Sequence, residues 1–266
     1  MKIAIVIPIH KENLTIDEKT SLLHLERYLS GYQRIVVRPL GLKISFPAFQ
    51  TVEFPRENFA SVSKYSKLLL TSRFYEAFSA FDYILIYQLD CLVFSKDLDV
   101  WCQLGYDYIG SPLFFKEFAR KDGISRVGNG GFSLRKVQAF LNILNSNRYV
   151  GEPVSFWKEL FFIQIPDLQE WPFFRRWWKK TQILRQVRNG VSSYVKNYSL
   201  NEDLFWSDRA KLFYPNFKIA PVSIALKFAF ERNPRYCFEQ NDHQIPFGCH
   251  AWGKWDRAFW EPYLLA

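Results

Sequence analysis

Residues 2–9 of this 266-residue chain read KIAIVIPI, and Tyr83 to Phe94 read YILIYQLDCLVF. Neither run alternates apolar with polar residues, so neither suits a strand with one wet face. A short, β-branched apolar run bounded by turn residues fits a strand covered on both faces, the environment of a parallel sheet between layers of helices. The second run adds a constraint, because its two polar members are Gln88 and Asp90. Burying an unpaired carboxylate is costly enough to neutralise it or undo the placement. Asp90 therefore either has a partner or stands where the strand ends, at a cleft.

Around these runs the pattern alternates. Residues 14–30 place Leu14, Leu22, Leu23, Leu25 and Leu29 among polar positions and predict a helix closed by Gly31. RIVVRPL (34–40) predicts a second strand stopped by Pro39, and TVEF (51–54) a short third. SKYSKLLLTSRFYEAFSAF (63–81) predicts a helix leading into the strand at 83–88. A loop with DLDVW, a short strand at 106–110, a glycine-rich turn over GNGGFSLR (128–135) and a helix at 137–145 follow. The expected fold class is α/β: one Rossmann-like domain over residues 1–266, its central sheet mainly parallel, with helices on both faces. From 155 the texture changes, and EWPFFRRWWKKTQILRQVR (170–188) holds no acidic residue after Glu170. This reads as a basic aromatic insertion at about 155–195.

Composition narrows the function classes. The chain is 48% apolar, which supports a sizeable core and argues against disorder. A formal net charge of +9 favours anionic partners: phosphates, nucleic acid or anionic lipid. Nucleic acid is the weaker option, because the basic residues form no tract beyond 175–188 and no binding motif is present. Cys91, Cys102, Cys237 and Cys249 show no metal-finger spacing, which fits a reducing compartment and leaves room for one disulfide. The N-terminal run is too short to span a membrane and lacks a small-residue cleavage site, and no stretch approaches about 20 apolar residues. The expected location is the cytoplasm. The 170–188 segment is either a helix packed on the core or an amphipathic stretch peripheral to the inner face of an anionic membrane.

In an open α/β sheet, ligands bind at the carboxyl ends of the strands. That singles out the loop after the first strand (Pro8, His10, Lys11, Glu12), the end of the 83–88 strand (Gln88, Asp90) and the turn after Gly110. Asp90 is either a turn carboxylate or an oxygen ligand for Mg2+ or Mn2+. His250, in GCHAW, is either bonded to backbone or a second ligand for such an ion. Glu202 and Asp203, in NEDLFW, suit a helix start capped by Asn201, and a carboxylate there can also act as a general base. Asn129, Gly130 and Gly131 form either a tight turn or the wall of a sugar pocket.

Taken in order, these segments resemble glycosyltransferases of the A-type fold. YSKLLLTSRFYEAFSAFDYILIYQLDCLVF is similar to the segment that leads to the Asp-x-Asp motif of fringe and β-1,3-galactosyltransferase type enzymes. GNGGFSLR is similar to their glycine turn, NEDLFW to their Glu-Asp motif, and PFGCHAW to the segment carrying a metal-binding His. The pattern, through to GKWDRAFWEPY, most resembles a bacterial family assigned to glycosyltransferases that was long a domain of unknown function. The resemblance spans roughly Ile3 to Trp255 and is weakest over 155–195. It implies transfer from a nucleotide-diphosphate sugar, first of all a UDP-sugar, to a hydroxyl of a glycan or lipid-linked glycan, in bacterial surface polysaccharide synthesis. It also implies inversion, with Asp203 as base beside Glu202. Asp90 and His250 would hold Mn2+ or Mg2+. Pro8, His10 and Glu12 would hold base and ribose, and Asn129, Gly130 and Gly131 would border the donor sugar. One departure stands out, since Gln88 occupies the place of the first Asp of the motif and supplies no charge; it would contact ribose or nucleotide instead, with metal binding weaker or dispensable. Lys64, Lys67 or Arg73 would then share in neutralising the diphosphate. The competing implication is a catalytically inactive carbohydrate-binding relative.

Overall fold

A computed structural model describes residues 1–44, 46–114, 124–146, 172–175, 177–178, 181 and 190–265. The first apolar run is β1 (Ile3–Pro8), at the centre of the main sheet. Its odd residues Ile3, Ile5 and Ile7 are buried in one core and its even residues Ala4 and Val6 in another. A strand with both faces dry needs helices on both sides, and burying each Ile or Val contributes about 1.5–3 kcal/mol. One core is roofed by α1 (Ile16–Leu29), through Leu25 and Leu29. The other is roofed by α2 (Val62–Leu68) and α3 (Ser72–Glu76), through Leu68, Phe74 and Tyr75.

β2 (Gln33–Pro39) and β4 (Tyr83–Tyr87) flank β1 in parallel, and β3 (Gln50–Phe54) lies parallel outside β2. Beyond β4 the sheet continues through β9 (Phe132–Lys136), antiparallel to β4, to β6 (Tyr108–Ile109), giving the order β3-β2-β1-β4-β9-β6. Two small sheets complete the fold. One pairs β7 (Ser111–Phe114) with β8 (Ile124–Gly128), and the other orders β10 (Ala229–Phe230), β11 (Gly248–Cys249) and β5 (Leu92–Val93). The α/β class, the mainly parallel sheet and the helices on both faces therefore hold.

Several boundaries differ from expectation for local reasons. α1 opens on a capping box: Glu18 N–H donates to Thr15 Oγ1 at 3.3 Å and Thr15 N–H donates to Glu18 at 2.7 Å. It ends on Ser30 in right-handed geometry, so Gly31 plays no left-handed capping part. The single helix expected over 63–81 is two, because the Thr71 hydroxyl takes the N–H of Phe74 and starts a new turn. The strand expected at 106–110 is only Tyr108–Ile109, and the chain then leaves the main sheet to form β7. FSLR, expected within the glycine turn, is instead the body of β9. Its Leu134 pairs with Leu85 and its Ser133 with Ile86.

All four cysteines are buried free thiols. No helix among the described residues is long and apolar enough to cross a membrane. The expected insertion at 155–195 falls largely outside the described residues, although Phe173, Phe174, Trp177 and Trp178 are exposed. α1 also carries a buried titratable group, His24. Its Nδ1 lies 2.9 Å from the Val93 carbonyl, and its Nε2 accepts the Leu265 N–H at 3.1 Å. Only the neutral ring makes both bonds at once, because Nε2 must be unprotonated to accept, and burial pushes its pKa down against the pull of the Val93 carbonyl. The unfolded chain takes up the proton first, so this contribution to stability is intact above about 6.5 and is lost as pH falls. Denaturant midpoints are expected to drop on acidification more in the wild type than in His24→Gln.

Candidate functional site

β2 lies on one side of β1 and β4 on the other, so the chain reverses its winding between β1 and β4, the switch point where open α/β sheets place ligands. A cleft of about 560 Å³ opens there. Pro8 and His10 line it from the end of β1, and Gln88 and Asp90 from the end of β4. Phe59, Ser61 and Tyr65 form a further wall that the sequence reading did not single out.

The turn after β4 is pinned from below. Gln88 N–H donates to the Gly131 carbonyl at 2.9 Å, and Cys91 Sγ–H to the same carbonyl at 3.3 Å. β11 pairs antiparallel with β5, Cys249 opposite Leu92, and so delivers His250 to the same place. His250 Nε2 lies 3.3 Å from Asp90 Oδ1 and 3.3 Å from Gln88 Oε1. On the other edge of the ring, Nδ1 lies 3.4 Å from Glu231 Oε1, within ion-pair range but short of hydrogen-bond alignment. The His250 side chain is 15% exposed and that of Asp90 51%, so the imidazole is set back and the carboxylate faces the cleft. A Cβ on Gly131 would land 2.1 Å from His250 Nε2, and only glycine leaves the ring this position.

Burial pushes the Asp90 carboxyl up, but the bond to His250 and its charge outweigh this, and the net direction is down. For His250, burial pushes down while Asp90 and Glu231 push up, and the balance is about 10. Lys254 also acts on Asp90 electrostatically, a cation that the sequence reading passed over. Cys91, with Asp90 and His250, completes a group whose ligand atoms all lie within 4.8 Å of one another. Its thiol is buried, spent on Gly131 and pushed well above its usual pKa.

The second half of the site is built on Asn129 and the Glu202–Asp208 helix. Asn129 is held at φ 97 by its own side chain, whose Oδ1 takes the N–H groups of Gly131 at 2.8 Å and Phe132 at 3.1 Å. Its backbone N–H donates to Asp203 Oδ2 at 3.1 Å. Asp203 is pushed up by burial, partly offset by that Asn129 N–H, and the charge of Glu231 pushes the same way as burial. Asn201 makes no side-chain cap, and the Glu202 N–H is satisfied by Ser66 Oγ at 2.7 Å. The Glu202 carboxylate turns inward to Arg135 at 2.9 Å, and both groups are buried. Burial pushes Glu202 up to about 7 despite Arg135. Gly130 lies against it, since a Cβ there would meet Glu202 Oε1 at 2.5 Å.

The structure thus gathers Gln88, Asp90, His250, Gly131, Asn129, Gly130, Asp203 and Glu202 around one turn, beside the cleft that Pro8 and His10 line. It places other expected residues elsewhere. Lys67 Nζ donates to the carbonyls of Val195 and Lys196, both at 3.0 Å, at the end of the Val191–Asn197 helix. Glu12 accepts the Lys43 N–H at 3.2 Å, Lys64 is exposed, and Arg73 lies over the Phe54 ring at 5.9 Å. Glu231, in contact with His250, was not anticipated. A lone carboxylate in AFERN carries no motif signal.

Fold and site together define an α/β protein with a cleft at its switch point, lined by apolar and polar side chains. The chain belongs to the family described as "Protein of unknown function (DUF5672)", whose profile matches residues 48–250. No curated protein matches it. Among solved structures it is similar to the galactosyltransferase LgtC in complex with donor and acceptor sugar analogs. That likeness has 15% identity, covers 93% of this chain and 86% of that one, and has a TM-score of 0.47. It is also similar to a glycosyltransferase involved in the glycosylation of the major capsid of PBCV-1 (14% identity, 99% and 98% coverage, TM-score 0.46). A third is the apo-form glycosyltransferase GlyE of Streptococcus pneumoniae TIGR4 (14% identity, TM-score 0.44), where all of this chain spans 61% of the other. The functional reading rests on this chain's own side chains.

Proposed function

We propose that the protein transfers a sugar from a nucleotide-diphosphate donor, first of all a UDP-sugar, to a hydroxyl of a glycan or lipid-linked glycan, with inversion. The observation that carries this reading is that one turn, Asn129-Gly130-Gly131, joins Asp203 to the Asp90–His250 pair, whose Asp90 lines the switch-point cleft.

The donor set fits a divalent ion. One carboxylate oxygen and one imidazole nitrogen stand 3.3 Å apart at the cleft, with the neutral Gln88 amide oxygen beside them. Asp90 and His250 would hold the ion, with substrate phosphate oxygens completing its shell. Such an ion supplies positive charge to the diphosphate as it leaves. Lys254 adds a protein cation near Asp90. Asp203 takes the proton from the acceptor hydroxyl while the acceptor oxygen bonds to the anomeric carbon and the bond to the diphosphate breaks. Its raised pKa makes it a stronger base than an exposed carboxylate. The Asn129 N–H keeps it in one orientation. Glu202, spent on Arg135, fixes the start of the helix that carries Asp203. The exposed Phe173, Phe174, Trp177 and Trp178 favour a lipid-linked acceptor held at a membrane surface.

The test is a thermal-shift panel of UDP, GDP and CDP with and without Mn2+, followed by assay of free nucleotide released from the matching sugar donors. Metal-dependent stabilisation by one nucleoside diphosphate, with nucleotide release on adding acceptor, is expected. Stabilisation by oligonucleotides alone would overturn the reading. Donor binding without any turnover would instead support the inactive carbohydrate-binding relative.

A further inference from the structure

His250 can offer Nε2 to an ion only if the proton of its neutral ring is on Nδ1. The Nε2 edge faces Asp90 and Gln88, both at 3.3 Å. The Nδ1 edge is buried, with no hydrogen-bond partner among the described residues, and Glu231 Oε1 stands 3.4 Å from it. An imidazole N–H left unpaired in a buried place is costly. A small turn of the Glu231 carboxylate makes the bond, and that group is itself only 18% exposed. Glu231 directly follows β10, and the His250 N–H donates to the Phe230 carbonyl at 2.9 Å. The backbone thus ties the two residues together before their side chains meet.

We infer that Glu231 is a positioning residue for the ion site: it accepts the His250 Nδ1–H, holds Nε2 toward the cleft, and supplies through the ring the negative charge that Gln88 does not. A carboxylate behind a metal-bound imidazole fixes its tautomer and raises its basicity. In this chain the task is weightier than usual. Asp90 is the only carboxylate facing Nε2 among the described residues, so the second anion acts from behind the ligand rather than beside the ion. This inference rests on the proposed metal site.

Two measurements on the whole chain separate it from that reading. Mn2+ affinity, read by EPR of the free ion with and without UDP, is expected to weaken about 10-fold in Glu231→Gln and about 100-fold in Glu231→Ala. In a His250→Ala background, Glu231→Ala should add no further loss. Independently, NMR of 15N-imidazole-labelled protein without any ion should show a protected His250 Nδ1–H, identified by its absence in His250→Ala. That signal should vanish in Glu231→Ala and survive in Glu231→Gln, whose amide oxygen still accepts. Equal Mn2+ affinity in wild type and both Glu231 variants would overturn the inference. So would a protected Nδ1–H that outlasts Glu231→Ala. Should wild type itself fail to bind Mn2+, the metal site falls, and the NMR result still decides whether Glu231 holds the ring.

Discussion

Asp203→Asn should lower kcat by about 10²- to 10⁴-fold, the usual contribution of a positioned general base. The change is nearly isosteric, and the amide oxygen can still accept the Asn129 N–H that now ends on Asp203 Oδ2. The turn, the helix start and the cleft at β1 and β4 should therefore be preserved, with donor affinity unchanged and the loss confined to kcat. A pH profile separates lost chemistry from a disturbed fold. Burial and the charge of Glu231 raise the Asp203 pKa, so the acid limb of kcat/KM should lie above the ordinary carboxylate range. That limb should disappear in Asp203→Asn. Turnover within a few-fold of wild type, with donor and acceptor in hand, would remove Asp203 from the role of base.

The largest stability effect is expected from Arg135→Met, a loss of about 3–5 kcal/mol by denaturant unfolding, as when one partner is taken from a buried ion pair. The Arg135 side chain, near the end of β9, is fully buried, and its partners include Glu202 at 2.9 Å, the Tyr75 hydroxyl at 2.9 Å and Ser133 Oγ at 3.0 Å. Removing the guanidinium leaves a carboxylate under Gly130 with nothing to balance it. Burial already holds Glu202 at about 7, against 4.5 for the free group, and Arg135 acts to lower it. Without Arg135 its folded pKa should rise further. A group with a raised folded pKa costs stability as pH climbs from the unfolded value through the folded one. The deficit of Arg135→Met should therefore widen as pH climbs above about 7, where Glu202 ionises in the wild type but is held protonated in the variant, and level off below that. Arg135→Met/Glu202→Gln should recover much of the loss and flatten the slope.

The same residue explains where sequence reading succeeded and where it stopped. β1 and β4 were legible because both faces of each are dry, which leaves an unbroken apolar run that few other elements produce. α1 was legible as a helix through its leucine spacing. β9 was not, because Arg135 occupies a buried strand position and reads as a loop residue beside glycines. The nearness of Asp90 and His250 depends on β5 and β11, two-residue strands too short to show any period. Sequence order suggested both residues without showing that they meet. Lys67 was misleading in another way. A lysine near a cleft and a lysine at a helix end look alike in sequence, and only its bonds to Val195 and Lys196 tell them apart.

The run Asn129-Gly130-Gly131 acts as a ruler. Its main chain touches Asp203 at one end, Glu202 in the middle and His250 at the other. The gap between Asp203 and the Asp90–His250 pair is therefore set by peptide geometry, which is stiff, rather than by side-chain rotamers, which are soft. Substitutions elsewhere in the cleft change its walls. They cannot readily alter that gap.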